Sequence, residues 1–103
     1  MSLTIDDTVR LLIPLDSGLI NHARDKAAGL GVGLATYINQ TVIEGAERKQ
    51  RLRIPRKVEG PLTTTLYLPQ PTMDRINVAA SHYKTTPQIA AYAIIAATLE
   101  YRS

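Results

Sequence analysis

An alternating segment of strand type occurs twice in this chain, and its repetition limits the folds that the chain can adopt. In residues 8–15 apolar and more polar side chains alternate, which predicts a strand with one buried face. The same plan returns 55 residues later in residues 63–70, where Pro69 matches Pro14. We expect these prolines to stop the strands. The positions predicted to face inward are Val9, Leu11, Ile13, Leu15, Thr64, Leu66 and Leu68.

Each strand is followed by a pattern that predicts two helices. In the first copy the helices run from about Ser17 to a glycine-rich turn at 29–33, and from about 34 to 48. Gly45 weakens the second of them by about 1 kcal/mol relative to Ala, unless close helix packing needs the space. The last predicted helix is apolar on almost every side, so we expect it at the centre of the domain. The second copy predicts helices over 73–83 and 87–101, capped by Thr72 and by Thr86 with Pro87.

The two copies differ in the spacing from the strand proline to the second helix. From Pro14 to Gly33 there are 19 residues, whereas from Pro69 to Thr86 there are 17. We therefore expect the two extra residues of the first copy in the glycine-rich turn at 29–33.

Neither copy can fold alone, because a unit of about 45 residues with a single strand buries too little apolar surface. We expect the two strands to pair antiparallel and the predicted helices to cover the apolar face of this ribbon. The predicted fold class is therefore mainly α with a two-stranded antiparallel ribbon. Residues 1–103 would form one compact domain, with a first unit at 8–48, a basic linker at 49–61 and a second unit at 62–102.

The order of strand, proline, helix, turn and helix in both copies resembles the ribbon-helix-helix family, the Arc and MetJ type of repressor. The resemblance extends from Thr8 to Tyr101, apart from the linker. Members of this family are dimers of one such unit and place their two-stranded ribbon in the major groove of DNA. With both units in one chain, the sequence resembles tandem members, some of which are accessory proteins of conjugative plasmid transfer. The resemblance thus implies an intramolecular pseudo-dimer.

The resemblance also implies that the ribbon face turned away from the helices reads base edges. Arg can contact guanine through two hydrogen bonds, Thr can donate or accept, and Leu can touch the thymine methyl group. An ordinary solvent-facing ribbon is the alternative, because Thr and Tyr favour strands in general. The base-reading residues implied on this chain are Thr8, Arg10, Leu12, Thr63, Thr65 and Tyr67.

The start of the second helix in each unit is a candidate for contact with DNA phosphates. Free backbone N–H groups and the positive end of the helix dipole favour an anion there. Because Pro87 lacks an N–H group, we expect the clamp in the second unit to be the weaker one. The positions that match the clamp of the family are Gly33, Leu34, Thr85 and Thr86.

The linker is a further candidate, because residues 48–57 hold six of the 12 basic side chains and no acidic one. Phosphate contacts of this kind supply affinity without sequence preference. If the linker instead crosses the far side of the helices, it would be solvated or bind another partner. The residues that would contact phosphates are Arg51, Arg53, Arg56 and Lys57.

Other classes of function find little support in the sequence. Without Cys there are no disulfides or thiolate metal sites, and neither His22 nor His82 has neighbours of metal-binding or catalytic type. We expect no enzymatic activity, no cofactor and no metal. No apolar run approaches the roughly 20 residues that span a bilayer, and no basic leader precedes the first strand. We therefore expect a cytoplasmic protein that does not contact the membrane.

These observations predict sequence-specific binding of double-stranded DNA, as a transcriptional repressor or as an accessory protein of plasmid transfer or maintenance. The two reading sets differ, so we expect an asymmetric rather than a palindromic site. Further partners would be other copies of the chain on adjacent sites or another DNA-processing protein. The alternative is a protein-interaction module, antitoxin-like or an assembly adaptor, with the same fold and no DNA readout.

Overall fold

The computed structural model describes residues 8–48, 50–56, 58 and 62–100. Over this part of the chain the protein is mainly helical, with a two-stranded antiparallel sheet, which confirms the predicted class. The order strand, helix, helix occurs twice. The elements are β1 (Thr8–Leu15), α1 (Ser17–Leu30), α2 (Leu34–Glu47), β2 (Leu62–Pro69), α3 (Gln70–His82) and α4 (Pro87–Thr98).

The two strands form a ribbon whose faces differ as the alternation predicted. Leu11 lies opposite Leu66, and both side chains are buried on the inner face with Ile13. On the outer face Arg10 lies opposite Tyr67, and both are exposed. Burial on one face fixes the register, because a slip by one residue would turn every apolar side chain toward solvent.

Pro14 lies within the ribbon, one residue before the end of β1, whereas Pro69 is the last residue of β2, as predicted. Pro14 faces Thr63, and Pro69 faces Thr8. These pairs belong to the same alternating set as Arg10 and Tyr67, whose backbone groups point away from the partner strand. A proline at such a position removes no hydrogen bond between the strands, because its missing N–H group would have pointed outward.

Helix α4 is the central helix, as its almost uniformly apolar sequence predicted. Its residues from Ala90 to Ile95 are buried, and the helix packs against α2, α3 and β1. It passes close to α2 at Gly45, where an added Cβ would lie 2.7 Å from Cγ2 of Ile94 and would also collide with Thr98. The crossing of the two helices therefore needs a glycine, which explains its place within a helix.

Structural landmarks of the two halves recur 53 residues apart. The spacing holds for helix caps, for the left-handed residue that follows the first helix of each half, and for buried helical positions such as Ala27 and Ala80. The matched landmarks are the N-caps Asp16 and Pro69, the left-handed residues Gly31 and Lys84, and the N-caps Gly33 and Thr86.

This spacing corrects two predictions. Pro69 corresponds to Asp16 rather than to Pro14, and the turn at 29–33 contains no extra residues, because the left-handed residue precedes the N-cap of the next helix by two positions in both halves. Thr72 does not cap α3; it is buried within the first turn, and Pro69 is the N-cap. The sequence match of the two prolines was wrong because a proline is tolerated at any strand position whose N–H group would point away from the partner strand.

The basic linker packs against the helices as an extended segment, residues 50–56, which we call the strap. Leu52 is buried, Ile54 packs against the core, and Arg51 and Arg53, on either side of Leu52, are exposed. Gln50 donates from Nε2 to the Gly45 carbonyl oxygen at 3.2 Å and to Oγ1 of Thr98 at 3.1 Å. These contacts hold the strap over the crossing of α2 and α4.

Candidate nucleic-acid interface

The outer face of the ribbon brings together the residues that the sequence assigned to base reading. Facing pairs in the register are Arg10 with Tyr67 and Leu12 with Thr65. Leu12 and Tyr67 are each 54% exposed, although both are large apolar or aromatic side chains. Exposed side chains of this size on a ribbon are available to a partner. Thr8 and Thr63 lie on the same face, toward opposite ends of it.

The two ends of this face differ in chemistry. One end carries Arg10 and Tyr67, which offer a guanidinium group, an aromatic ring and a hydroxyl group. The other end carries Pro14 and Thr63, which offer a single hydroxyl group. Sequence reasoning did not assign Pro14 to this face, because it took the proline as the end of the strand.

The Tyr67 end of the ribbon shares a groove with the start of α2. The groove has a volume of about 440 Å³ and is bordered by Thr65 and Tyr67 on the ribbon side. On the helix side it is bordered by Ala35 and Thr36 from the first turn and, further along α2, by Asn39, Gln40, Ile43 and Glu44. The ribbon and the start of α2 therefore open onto one surface, as a joint contact with a duplex requires.

Asn39 fastens β2 to α2 at this end. Its Oδ1 accepts a hydrogen bond from the Tyr67 N–H group at 2.7 Å, and its Nδ2 donates to the Tyr67 carbonyl oxygen at 3.0 Å. The side-chain amide thus occupies the place of a neighbouring strand at the outer edge of β2. The sequence gives no signal for this pairing, since a lone Asn in a helix has many possible environments.

A different hydrogen bond joins α4 to the end of β1. Tyr92, which lies 53 residues after Asn39, donates its hydroxyl group to Oδ1 of Asp16 at 2.5 Å. The strand residue that corresponds to Tyr67 by the same spacing is Pro14. Because a proline has no N–H group to donate to a side-chain amide, Pro14 cannot form the same two-bond tie.

The starts of α2 and α4 also differ. The N-cap of α2 is Gly33, and no side chain of the described residues caps that helix. Its first helical residue, Leu34, is half-buried, and the next two residues are exposed. The start of α4 is capped, because Oγ1 of Thr86 accepts from the Ile89 N–H group at 3.2 Å, as predicted. Thr85 lies before this cap and donates its backbone N–H group to the Ala80 carbonyl oxygen at 2.8 Å.

None of the described contacts joins the strap to the ribbon. Arg51 and Arg53 border a groove of about 600 Å³, whose floor is the alanine-rich side of α4. The Leu52 N–H group donates to the Tyr83 hydroxyl group at 3.1 Å, which ties the strap to the end of α3. Arg56 is exposed, and Lys57 lies outside the described residues.

Both histidines contact neighbouring parts of the fold. Nε2 of His22 lies 2.8 Å from the Leu99 carbonyl oxygen, so this side chain joins α1 to the end of α4. The ring of His82 packs edge-on against Tyr83, with 4.9 Å between ring centroids. Within the described residues, no group of three or more His, Cys, Asp or Glu side chains is arranged to hold a metal ion.

Among the helices that the structure describes, none has the length and apolar content needed to cross a membrane. In comparisons with known proteins, the chain matches no protein-family model, no curated protein and no solved structure.

Proposed function

We propose that this protein binds double-stranded DNA by placing the outer face of its ribbon in the major groove. The observation that carries the proposal is the register, which sets Arg10, Leu12, Thr65 and Tyr67 side by side on one exposed face. A two-stranded ribbon fits the width of the major groove, and these side chains match the donors, acceptors and methyl groups displayed there.

The proposal includes a pseudo-dimer of two ribbon-helix-helix units within one chain. The recurrence of caps, turns and buried positions 53 residues apart supports it. So does the crossing of α2 and α4, because Gly45 meets Thr98, the residue that lies 53 positions further on. Such a protein acts as a transcriptional repressor or as an accessory protein of plasmid transfer or maintenance, in the cytoplasm.

Phosphate contacts at the start of α2 complete the proposed interface. The uncapped N–H groups after Gly33 favour an anion, and the groove between Thr36 and Tyr67 puts them on the same surface as the ribbon. At α4 the Thr86 cap and Pro87 leave fewer free donors, so contact there is weaker.

Titration of affinity against salt tests the proposal. Binding to a duplex of random sequence should weaken steeply as salt rises, with a slope in log affinity of about 0.9 for each phosphate contacted. Two controls should not show this binding: a protein of similar net charge and a heat-unfolded sample of this chain. An affinity that is negligible at every salt concentration would contradict DNA binding.

A second candidate is a protein-interaction module on the same fold. It is favoured by the exposed arginines of the strap, which lie over α4 rather than beside the ribbon in the described contacts. An adaptor of this kind would bind an acidic partner and would show little affinity for duplex DNA at any salt concentration. The same titration therefore separates the two candidates.

A further inference from the structure

The side-chain amide of Asn39, in α2, forms direct hydrogen bonds to the backbone of the ribbon. It engages both the N–H and the C=O of one residue, Tyr67, at 2.7 and 3.0 Å. Two hydrogen bonds from one planar group fix orientation as well as position. The backbone of β2 is therefore fixed against α2 at Tyr67.

The residue held in this way lies directly opposite Arg10. Residues that face each other in a pair without hydrogen bonds between them have close side chains, with Cα atoms about 4.5 Å apart. Fixing Tyr67 therefore also restricts where the Arg10 side chain can extend. At the other end, Pro14 and Thr63 face each other, and the Tyr92 tie reaches Asp16, beyond the end of the strand.

Base reading needs side chains that are held in place by a supporting shell. The end of the ribbon face that Asn39 supports also carries the Arg10 guanidinium group, the Tyr67 ring and the groove toward the start of α2. We propose that the protein discriminates bases mainly under Arg10 and Tyr67, that Asn39 is a positioning residue for this readout, and that the base pairs under Pro14 and Thr63 are read weakly. This inference rests on the proposed DNA binding.

Asn39→Ala and Tyr92→Phe form a matched pair of variants. The first removes the hydrogen bonds between α2 and Tyr67, and the second removes the hydrogen bond between α4 and Asp16. Duplexes selected from a random pool by the wild-type protein are changed one base pair at a time, and the relative affinity is measured for each protein. The Arg10→Ala variant marks the base pairs that lie under Arg10. Discrimination at these base pairs should fall about tenfold in Asn39→Ala and stay unchanged in Tyr92→Phe.

A loss of packing alone would not produce this pattern. It would weaken binding to all duplexes equally, whereas a positioning role lowers the preference at one end and leaves the salt dependence of non-specific binding unchanged. Equal weakening across all duplexes, or an unchanged profile in Asn39→Ala, would overturn the inference.

The wild-type profile gives a test that does not depend on how the variants fold. Strong discrimination at one end of the site and weak discrimination at the other supports the inference, whereas equal discrimination at both ends overturns it. Either result leaves DNA binding itself intact. The absence of salt-dependent binding to any duplex would instead contradict the proposed function.

Discussion

Leu12 of β1 lies opposite Thr65 of β2 at the middle of the outer ribbon face, and the two residues are 53 positions apart. The same spacing separates the helix caps and the left-handed turn residues of the two halves. In a pseudo-dimer, residues related by the symmetry axis face each other across it. The proposed axis therefore passes through this pair, and the chemistry on its two sides differs because one side carries Arg10 and Tyr67.

The close packing of α2 against α4 at Gly45 gives a prediction about stability. Gly45→Ala should lower the free energy of unfolding by about 1–3 kcal/mol, because the new Cβ would collide with Thr98 and Ile94. The higher helix propensity of Ala, about 1 kcal/mol, offsets only part of this. Chemical denaturation measures the difference.

Gly29→Ala is the matched control for that substitution. Gly29 also lies in a helix, α1, but an added Cβ would meet no atom within 4 Å. This variant should gain about 0.5–1 kcal/mol. Stabilisation of both variants by similar amounts would contradict the close crossing of α2 and α4.

The cap of α4 gives a second prediction. Thr86→Ala should destabilise the protein by about 1 kcal/mol, since it leaves the Ile89 N–H group without its acceptor. Thr85→Ala should be nearly neutral, because the described hydrogen bond of Thr85 uses its backbone. Thermal unfolding of both variants checks the difference, and equal losses would argue against a side-chain cap at Thr86.

Local patterns predicted much of this fold, because alternation, capping and apolar periodicity act over a few residues. The inward positions Leu11 and Leu66, the cap at Thr86 and the central position of α4 are of this kind. The spacing between the halves was misread, because a proline pair is a weak landmark on an exposed strand edge.

Features that depend on distant contacts could not be predicted in this way. The tie between Asn39 and Tyr67 joins residues 28 positions apart, and the strap is fixed by Tyr83 and Thr98. The difference between the two ends of the ribbon became visible only with the register, which places Pro14 opposite Thr63.

The proposed pseudo-dimer of two units in one chain gives a third prediction. Folding is then intramolecular, so the unfolding temperature should not change when protein concentration is varied about a hundredfold. Differential scanning calorimetry measures this directly. A midpoint that rises with concentration would show that a second copy of the chain is needed for stability.

Loss of the guanidinium group of Arg10 gives a fourth prediction. Arg10→Ala should weaken binding to a selected duplex by about 1–3 kcal/mol and relax the preference at one base pair. Arg24→Ala removes the same charge from an exposed position of α1 and should leave the base preference unchanged. Equal effects of the two substitutions would reduce the role of Arg10 to net charge.

The most direct measurement is a map of backbone amide NMR shifts when a selected duplex is added to the protein. Placement of the ribbon in the major groove predicts the largest shifts at residues 8–13 and 63–67, with further shifts at the start of α2. The outward side of α3 should be unaffected. Shifts confined to residues 50–56 or to α3, with the ribbon unchanged, would contradict the account.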